Sequence, residues 1–172
     1  MSQSDQVFSP PFPTIPPQQD HMQSALSQNR KRAYFIGKYF NLYYHAKFKK
    51  VSSKQYLAAF NTAAFCFGFI WFFYRKMYVL GCLLLMLTIL IGLMFEFLDL
   101  FALLGLLTVA VLAGLCANLA YKSFVDQKIS QVEGTQDAFL TFELKQQGGV
   151  SRVAAAVATI LLVFLLGLWR IL

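Results

Sequence analysis

The sequence predicts an all-α integral membrane protein: three transmembrane helices, one aromatic interfacial or re-entrant helix, and a disordered N-terminal tail. Three observations carry that expectation. Of 172 residues, 58% are apolar and only 13% charged, against roughly 25% charged in an average soluble domain. The apolar residues gather in long uncharged runs, more than a soluble core of this length could enclose. The formal charge of +7 is also uneven, with Arg30, Lys31, Arg32, Lys38, Lys47, Lys49, Lys50 and Lys54 crowded into one stretch. Beside membrane spans, such a stretch points to an anionic lipid surface rather than to nucleic acid.

Residues 1–29 read as a tail. All five prolines fall between Pro10 and Pro17, and Gln and Ser follow them. Such a composition cannot bury enough surface to offset its ordering entropy. The Pro10-x-x-Pro13 and Pro13-x-x-Pro16 spacings suit a polyproline II groove, but a solvated tail is the expectation. No apolar run precedes residue 55, so insertion is expected to be directed by internal spans without cleavage.

Residues 30–54 interleave cations with Tyr34, Phe35, Tyr39, Phe40, Tyr43, Tyr44 and Phe48. Ile36, Phe40, Tyr43 and Ala46 can share a helix face, which predicts an amphipathic juxtamembrane segment with its rings toward lipid. Residues 55–76 are the interfacial or re-entrant helix. They hold no charge between Tyr56 and Tyr74 but are unusually aromatic, with Asn61 placed to cap a short helix.

Three spans follow, at 77–95, 101–121 and 153–172, joined by an external turn at 96–100 and a cytoplasmic loop at 122–152. Gly148-Gly149 breaks the chain before the last span, and Ser151 is placed to cap it. Charge fixes the orientation. With three spans and the N-terminus inside, fourteen of fifteen Lys and Arg are cytoplasmic and only Arg170 is external. If 56–74 also spanned, the split would be nine to six. The first arrangement obeys the positive-inside rule. Arg30, Lys31, Arg32, Lys38, Lys49, Lys50, Arg75 and Lys76 are expected to anchor to headgroups, with Trp71, Tyr74 and Tyr78 as amphipathic partners. Arg75 and Lys76 would form the hinge into the bilayer, and Arg75 has the fork needed to recognise a carboxylate or phosphate.

Phe35-Ile36-Gly37-Lys38, Tyr43-Tyr44, Asn61-Thr62-Ala63-Ala64-Phe65, Tyr74-Arg75-Lys76-Met77-Tyr78, Ala117-Asn118-Leu119-Ala120-Tyr121 and Gly148-Gly149-Val150-Ser151 together form a pattern. On it, residues 33–172 resemble a family of small bacterial inner-membrane proteins catalogued as a domain of unknown function. The resemblance implies class and location without an activity. Thr62 stands where the family tends to have Trp, and Phe69 where Pro is common, which favours one continuous helix over 56–74.

Candidate chemistry is sparse. Glu96 and Asp99 are expected in an aqueous turn, Asp99 capping the next helix. Cys66, Cys82 and Cys116 are expected to be buried apolar fillers, and His45 to be solvated. Ala110, Gly114, Asn118, Ala154 and Ala158 are placed for helix packing, suggesting that the second and third spans meet within one chain or between copies. No catalytic grouping, cofactor loop or metal-ligand spacing emerges. The expected function is therefore a non-enzymatic accessory, scaffold or assembly subunit that binds anionic lipid and a membrane-protein partner or another copy of itself. A small oligomeric transporter or channel is the alternative.

Overall fold

The computed structural model describes residues 17–93, 99–132 and 137–169, and all regular structure among them is helical. Helix α1 runs from Pro17 to Ile36. Thirteen of its 20 residues, 17–29, lie where a tail was expected. The reason is local: Pro17 takes the first helical position, where a missing N–H costs nothing, and no Pro or Gly follows until Gly37. Gly37 ends the helix at φ +79°, its N–H bonded to the Ala33 carbonyl at 2.9 Å. Residues 1–16, with the rest of the expected tail, lie outside the described residues.

A π-helical turn, Phe40–Tyr44, leads into helix α2, His45–Ser52. The wider turn adds a residue to the repeat. The inward positions are therefore Phe40, Tyr44, Phe48 and Val51, while Tyr43 is half-buried and Ala46 exposed. This corrects the expected face of Ile36, Phe40, Tyr43 and Ala46. The inward rings also meet protein rather than lipid: Tyr44 and Phe48 lie 5.0 and 6.1 Å from the Tyr121 ring.

The segment expected as one interfacial helix is broken. Asn61 caps helix α3, Thr62–Phe67, its Oδ1 accepting the Ala64 N–H at 3.1 Å. Gly68 at φ +50°, ψ −125° then separates α3 from helix α4, Phe69–Tyr74. That conformation is open to glycine and strained for other residues, so the break stands without the proline of the related pattern. Six residues rise only about 9 Å, so neither helix crosses a bilayer. Phe69, Trp71 and Phe72 of α4 are buried inside the protein.

Two helices are long and apolar enough to cross a membrane. The first is α6, Asp99–Val132, which continues past Tyr121, where the second span was expected to end. The second is Phe139–Leu165, which takes in most of α8, Arg152–Trp169, capped by the Ser151 hydroxyl, which accepts the Ala154 N–H at 3.2 Å. Helix α5, Tyr78–Leu93, is apolar but shorter. Helix α7, Asp137–Gln147, lies between α6 and α8. Glu96 and Arg170 fall outside the described residues.

Exposure divides the molecule. Large apolar side chains are exposed along α5, the first part of α6 and α8, Met86, Leu103 and Ile160 among them. The buried core instead gathers on the later part of α6, where Ala113, Ala117, Tyr121, Val125 and Ile129 recur at four-residue spacing. Helices α1, α2, α3 and α7 pack around that part, whereas α4 packs against α5 and α8. The small residues of α6 thus face α3: a side chain on Gly114 would overlap the Phe60 ring. The small residues of α8 lie on the helix that packs on α4, with Ala158 buried. This replaces the expected contact between the second and third spans within the chain. Cys66, Cys82 and Cys116, expected to be buried, are exposed.

Gly148 sets how closely α1 and α7 approach. A Cβ there would overlap the Phe35 carbonyl oxygen, and the Gly149 N–H donates to that same oxygen at 2.8 Å. Gly148→Ala should destabilise the fold by about 1–3 kcal/mol through overpacking, read as a lower thermal midpoint in detergent. Gly167→Ala, which meets nothing within 4 Å, should leave that midpoint unchanged or slightly raised.

Candidate functional site

The turn after α4 places Arg75. Met77 N–H bonds the Phe72 carbonyl at 2.9 Å and Lys76 N–H the Phe73 carbonyl at 3.1 Å, closing the helix end in a Schellman motif. Lys76 takes the left-handed position at φ +61° that glycine usually fills. Its ammonium donates to the carbonyls of Gly148 at 2.6 Å and Gln147 at 3.2 Å, at the C-terminal end of α7. The Ser151 N–H reaches the Tyr74 carbonyl at 2.9 Å. Helices α4, α5, α7 and α8 are therefore tied together around one junction.

Arg75 sits inside that junction at 7% exposure. Its guanidinium centre is 4.7 Å from the Tyr44 ring, 5.2 Å from Tyr121 and 5.5 Å from Tyr74. Nε and Nη1 are buried without a hydrogen-bond partner, and so is the Tyr121 hydroxyl. Burial pushes the Tyr44 hydroxyl well above the usual phenol range, although the Arg75 charge pulls the other way. The phenol therefore stays neutral and does not serve as the counter-ion. The side chain lines an open cleft of about 530 Å³ whose walls include Tyr39, Tyr43, Asn61, Trp71 and Ala155.

Asn61 and Asn118 behave differently. Asn61 Nδ2 donates to Asn118 Oδ1 at 3.1 Å, and Asn118 Nδ2 donates to the Ala59 carbonyl at 2.7 Å. Asn61 N–H also reaches the Gly114 carbonyl at 2.8 Å. This network holds the chain before α3 against α6. Lys47 pins the same loop through the Phe60 carbonyl at 2.8 Å, and burial followed by Lys50 lowers its pKa.

Several expected lipid anchors point elsewhere. Arg32 forks onto Asp126, Nε to Oδ1 at 2.7 Å and Nη2 to Oδ2 at 2.9 Å, and Lys122 joins at 3.1 Å. Trp71 is buried between Phe72 and Tyr121, and Arg75 is enclosed as described. Arg30, Lys38, Lys49, Lys50 and Tyr78 are exposed, Tyr74 and Lys76 are half-buried, and Lys31 is half-buried with a partner of its own. Tyr121 is the site residue that sequence reasoning missed. Its signal was available in the four-residue spacing of Ala113, Ala117, Tyr121, Val125 and Ile129 on α6.

Among the described residues, no three His, Cys, Asp or Glu side chains converge to hold a metal ion. The arrangement offers a buried cation with free donors in an aromatic cleft, which is equipment for binding. A family model described as a protein of unknown function, DUF2628, matches residues 21–126. No curated protein and no solved structure matches the chain.

The two polar clusters should respond differently to truncation. Asn118→Ala strands Asn61 Nδ2 and the Ala59 carbonyl, and should cost about 1–3 kcal/mol for each buried group left unpaired. Tyr121→Phe removes a hydroxyl that makes no hydrogen bond of good geometry and leans only on the Arg75 charge, and should leave the unfolding midpoint nearly unchanged. Denaturation of both variants in one detergent checks the contrast.

Proposed function

This chain belongs to the DUF2628 family, whose function is unknown, and from that premise we propose that it is a non-enzymatic accessory or scaffold subunit of the bacterial inner membrane. It crosses the bilayer three times, through α5, the first part of α6 and α8, with its N-terminus inside and C-terminus outside. The charge count supports this placement, since fourteen of fifteen Lys and Arg then lie on the cytoplasmic side. Helix α6 rises about 50 Å in all, more than the roughly 30 Å hydrocarbon core. Its later part emerges as the centre of a cytoplasmic helical module.

The observation that carries the partner-binding reading is on α7. Leu140 and Leu144 are buried against the module, while Phe139 and Phe142, one turn apart, are exposed. The helix is apolar on two faces and its own chain covers one of them. Exposed Leu42 and Leu57 add to the apolar surface of the module. A partner protein, or another copy of this chain, would cover such a surface.

A reporter active only outside the cytoplasm should be active when fused after Leu172 and silent when inserted at Gly134. The reverse pattern would overturn the three-span topology. Phe139→Ala/Phe142→Ala should keep the wild-type thermal midpoint, because surface truncation is nearly neutral. The variant should lose proteins that co-purify with the wild type in mild detergent, or shift its own oligomeric state. Unchanged partners and unchanged size would remove α7 as the binding face.

A further inference from the structure

A guanidinium cannot shed its proton in a protein, so Arg75 is a permanent positive charge held at 7% exposure. Burying such a charge without an anion is strongly unfavourable. Arg32 and Lys122 pair with Asp126, and Arg75 lies outside that cluster. Tyr44, Tyr74 and Tyr121 recover part of the cost, since each ring face attracts the cation. Ring faces offer no lone pairs to N–H groups; the Tyr44 and Tyr121 hydroxyls lean on the guanidinium but are neutral, and Nε and Nη1 make no hydrogen bond of their own. Water could occupy the donors but would not neutralise the charge.

The surroundings narrow the identity of a neutralising anion. Arg75 lies three residues before Tyr78, where α5 begins, and the Ser151 N–H that opens α8 bonds the Tyr74 carbonyl. The cleft is thus at the level where two apolar helices start, and Ala155 of α8 forms part of its wall. The positive end of α8 faces the same junction. Phe67 and Ile70 add an apolar wall, and Tyr39, Tyr43 and Thr62 a polar one. A ligand with one anionic group, a polar spacer and an apolar remainder matches this lining.

We propose that the Arg75 cleft binds the phosphate of a phospholipid headgroup, with the glycerol and the start of the acyl chains against Phe67 and Ile70. This rests on the three-span placement proposed above. Arg75 donates to the phosphate oxygens, the tyrosines hold the guanidinium in place, and the low-dielectric site strengthens the charge-assisted bonds. The bound lipid would complete the module and hold it against the membrane.

The test uses full-length protein, delipidated in detergent, in a Trp169→Phe background so that Trp71 in the cleft is the sole indole reporter. Titration with short-chain phosphatidylglycerol should give a saturable fluorescence change at one lipid per chain. Diacylglycerol with the same chains, which lacks phosphate, should bind at least tenfold more weakly, and so should inorganic phosphate. Arg75→Gln should lose at least tenfold in phosphatidylglycerol affinity while the delipidated variant melts no lower than delipidated wild type. If that variant does not fold, the comparison of the three ligands on wild type decides alone. Equal binding of phosphatidylglycerol and diacylglycerol, or no saturable binding, overturns the phosphate site. Inorganic phosphate binding as tightly as the lipid overturns the lipid source and assigns the cleft to a free phosphate. Release of the protein from membranes without detergent would defeat the three-span reading separately, since the inorganic phosphate titration does not depend on it.

Discussion

One row of side chains on α6 organises the protein. Ala113 and Ala117 are small, so the loop before α3 can lie directly on the helix, close enough for Asn61 N–H to reach the Gly114 carbonyl. One turn later the row switches to Tyr121, whose ring meets Tyr44, Phe48 and Trp71. Two segments distant in sequence therefore converge on one side chain. Val125, Ile129 and Val132 extend the same core along the helix. If α6 bent or slipped by one residue, the row would rotate by about 100° and each of these contacts would be lost.

The same helix divides into an exposed and a covered part. Before Ala113, Leu103, Leu104 and Leu107 are exposed. After it, the inward face is fully buried and the other side carries Lys122, Asp126 and Lys128. Polar groups follow that division. Where the helix is covered by protein, both polar side-chain atoms of Asn118 are hydrogen-bonded, to Asn61 and to the Ala59 carbonyl. At the junction with α5 and α8, Arg75 is buried yet unsatisfied. The contrast matters because the fold is able to satisfy a buried polar side chain a few residues away.

The long apolar runs were legible in the sequence because length and absence of charge are properties of composition. Positions that depend on backbone geometry were not. The π-helical turn moved the inward face from Tyr43 to Tyr44, and a pattern built on 3.6 residues per turn has no means of registering one added residue. Gly68 broke the aromatic segment although its proline neighbour was missing, because glycine alone reaches φ +50°, ψ −125° without strain. Arg32 looked like a lipid anchor because its partner, Asp126, lies 94 residues away. Arg75 and Lys76 were recognisable as the hinge into the first apolar helix. That Arg75 turns inward was not readable, since it requires Tyr44, Tyr74 and Tyr121 to be in place first.

The backbone explains why the cation cannot escape. A residue at the end of a six-residue helix would ordinarily swing its side chain to solvent. Here the Schellman closure fixes both sides of Arg75, and Lys76 accepts a left-handed conformation that costs a non-glycine residue about 1–2 kcal/mol. Glycine would relieve that strain but would lose the ammonium bonds to Gln147 and Gly148. A lysine at this position thus trades local strain for a clamp between α4 and α7, and the clamp closes one side of the Arg75 junction. The Ser151 bond to the Tyr74 carbonyl closes another side with α8. A strained turn, an unpaired cation and three converging tyrosines occur at one place. Each carries a cost or a constraint that packing alone does not require, and a bound anion accounts for their coincidence.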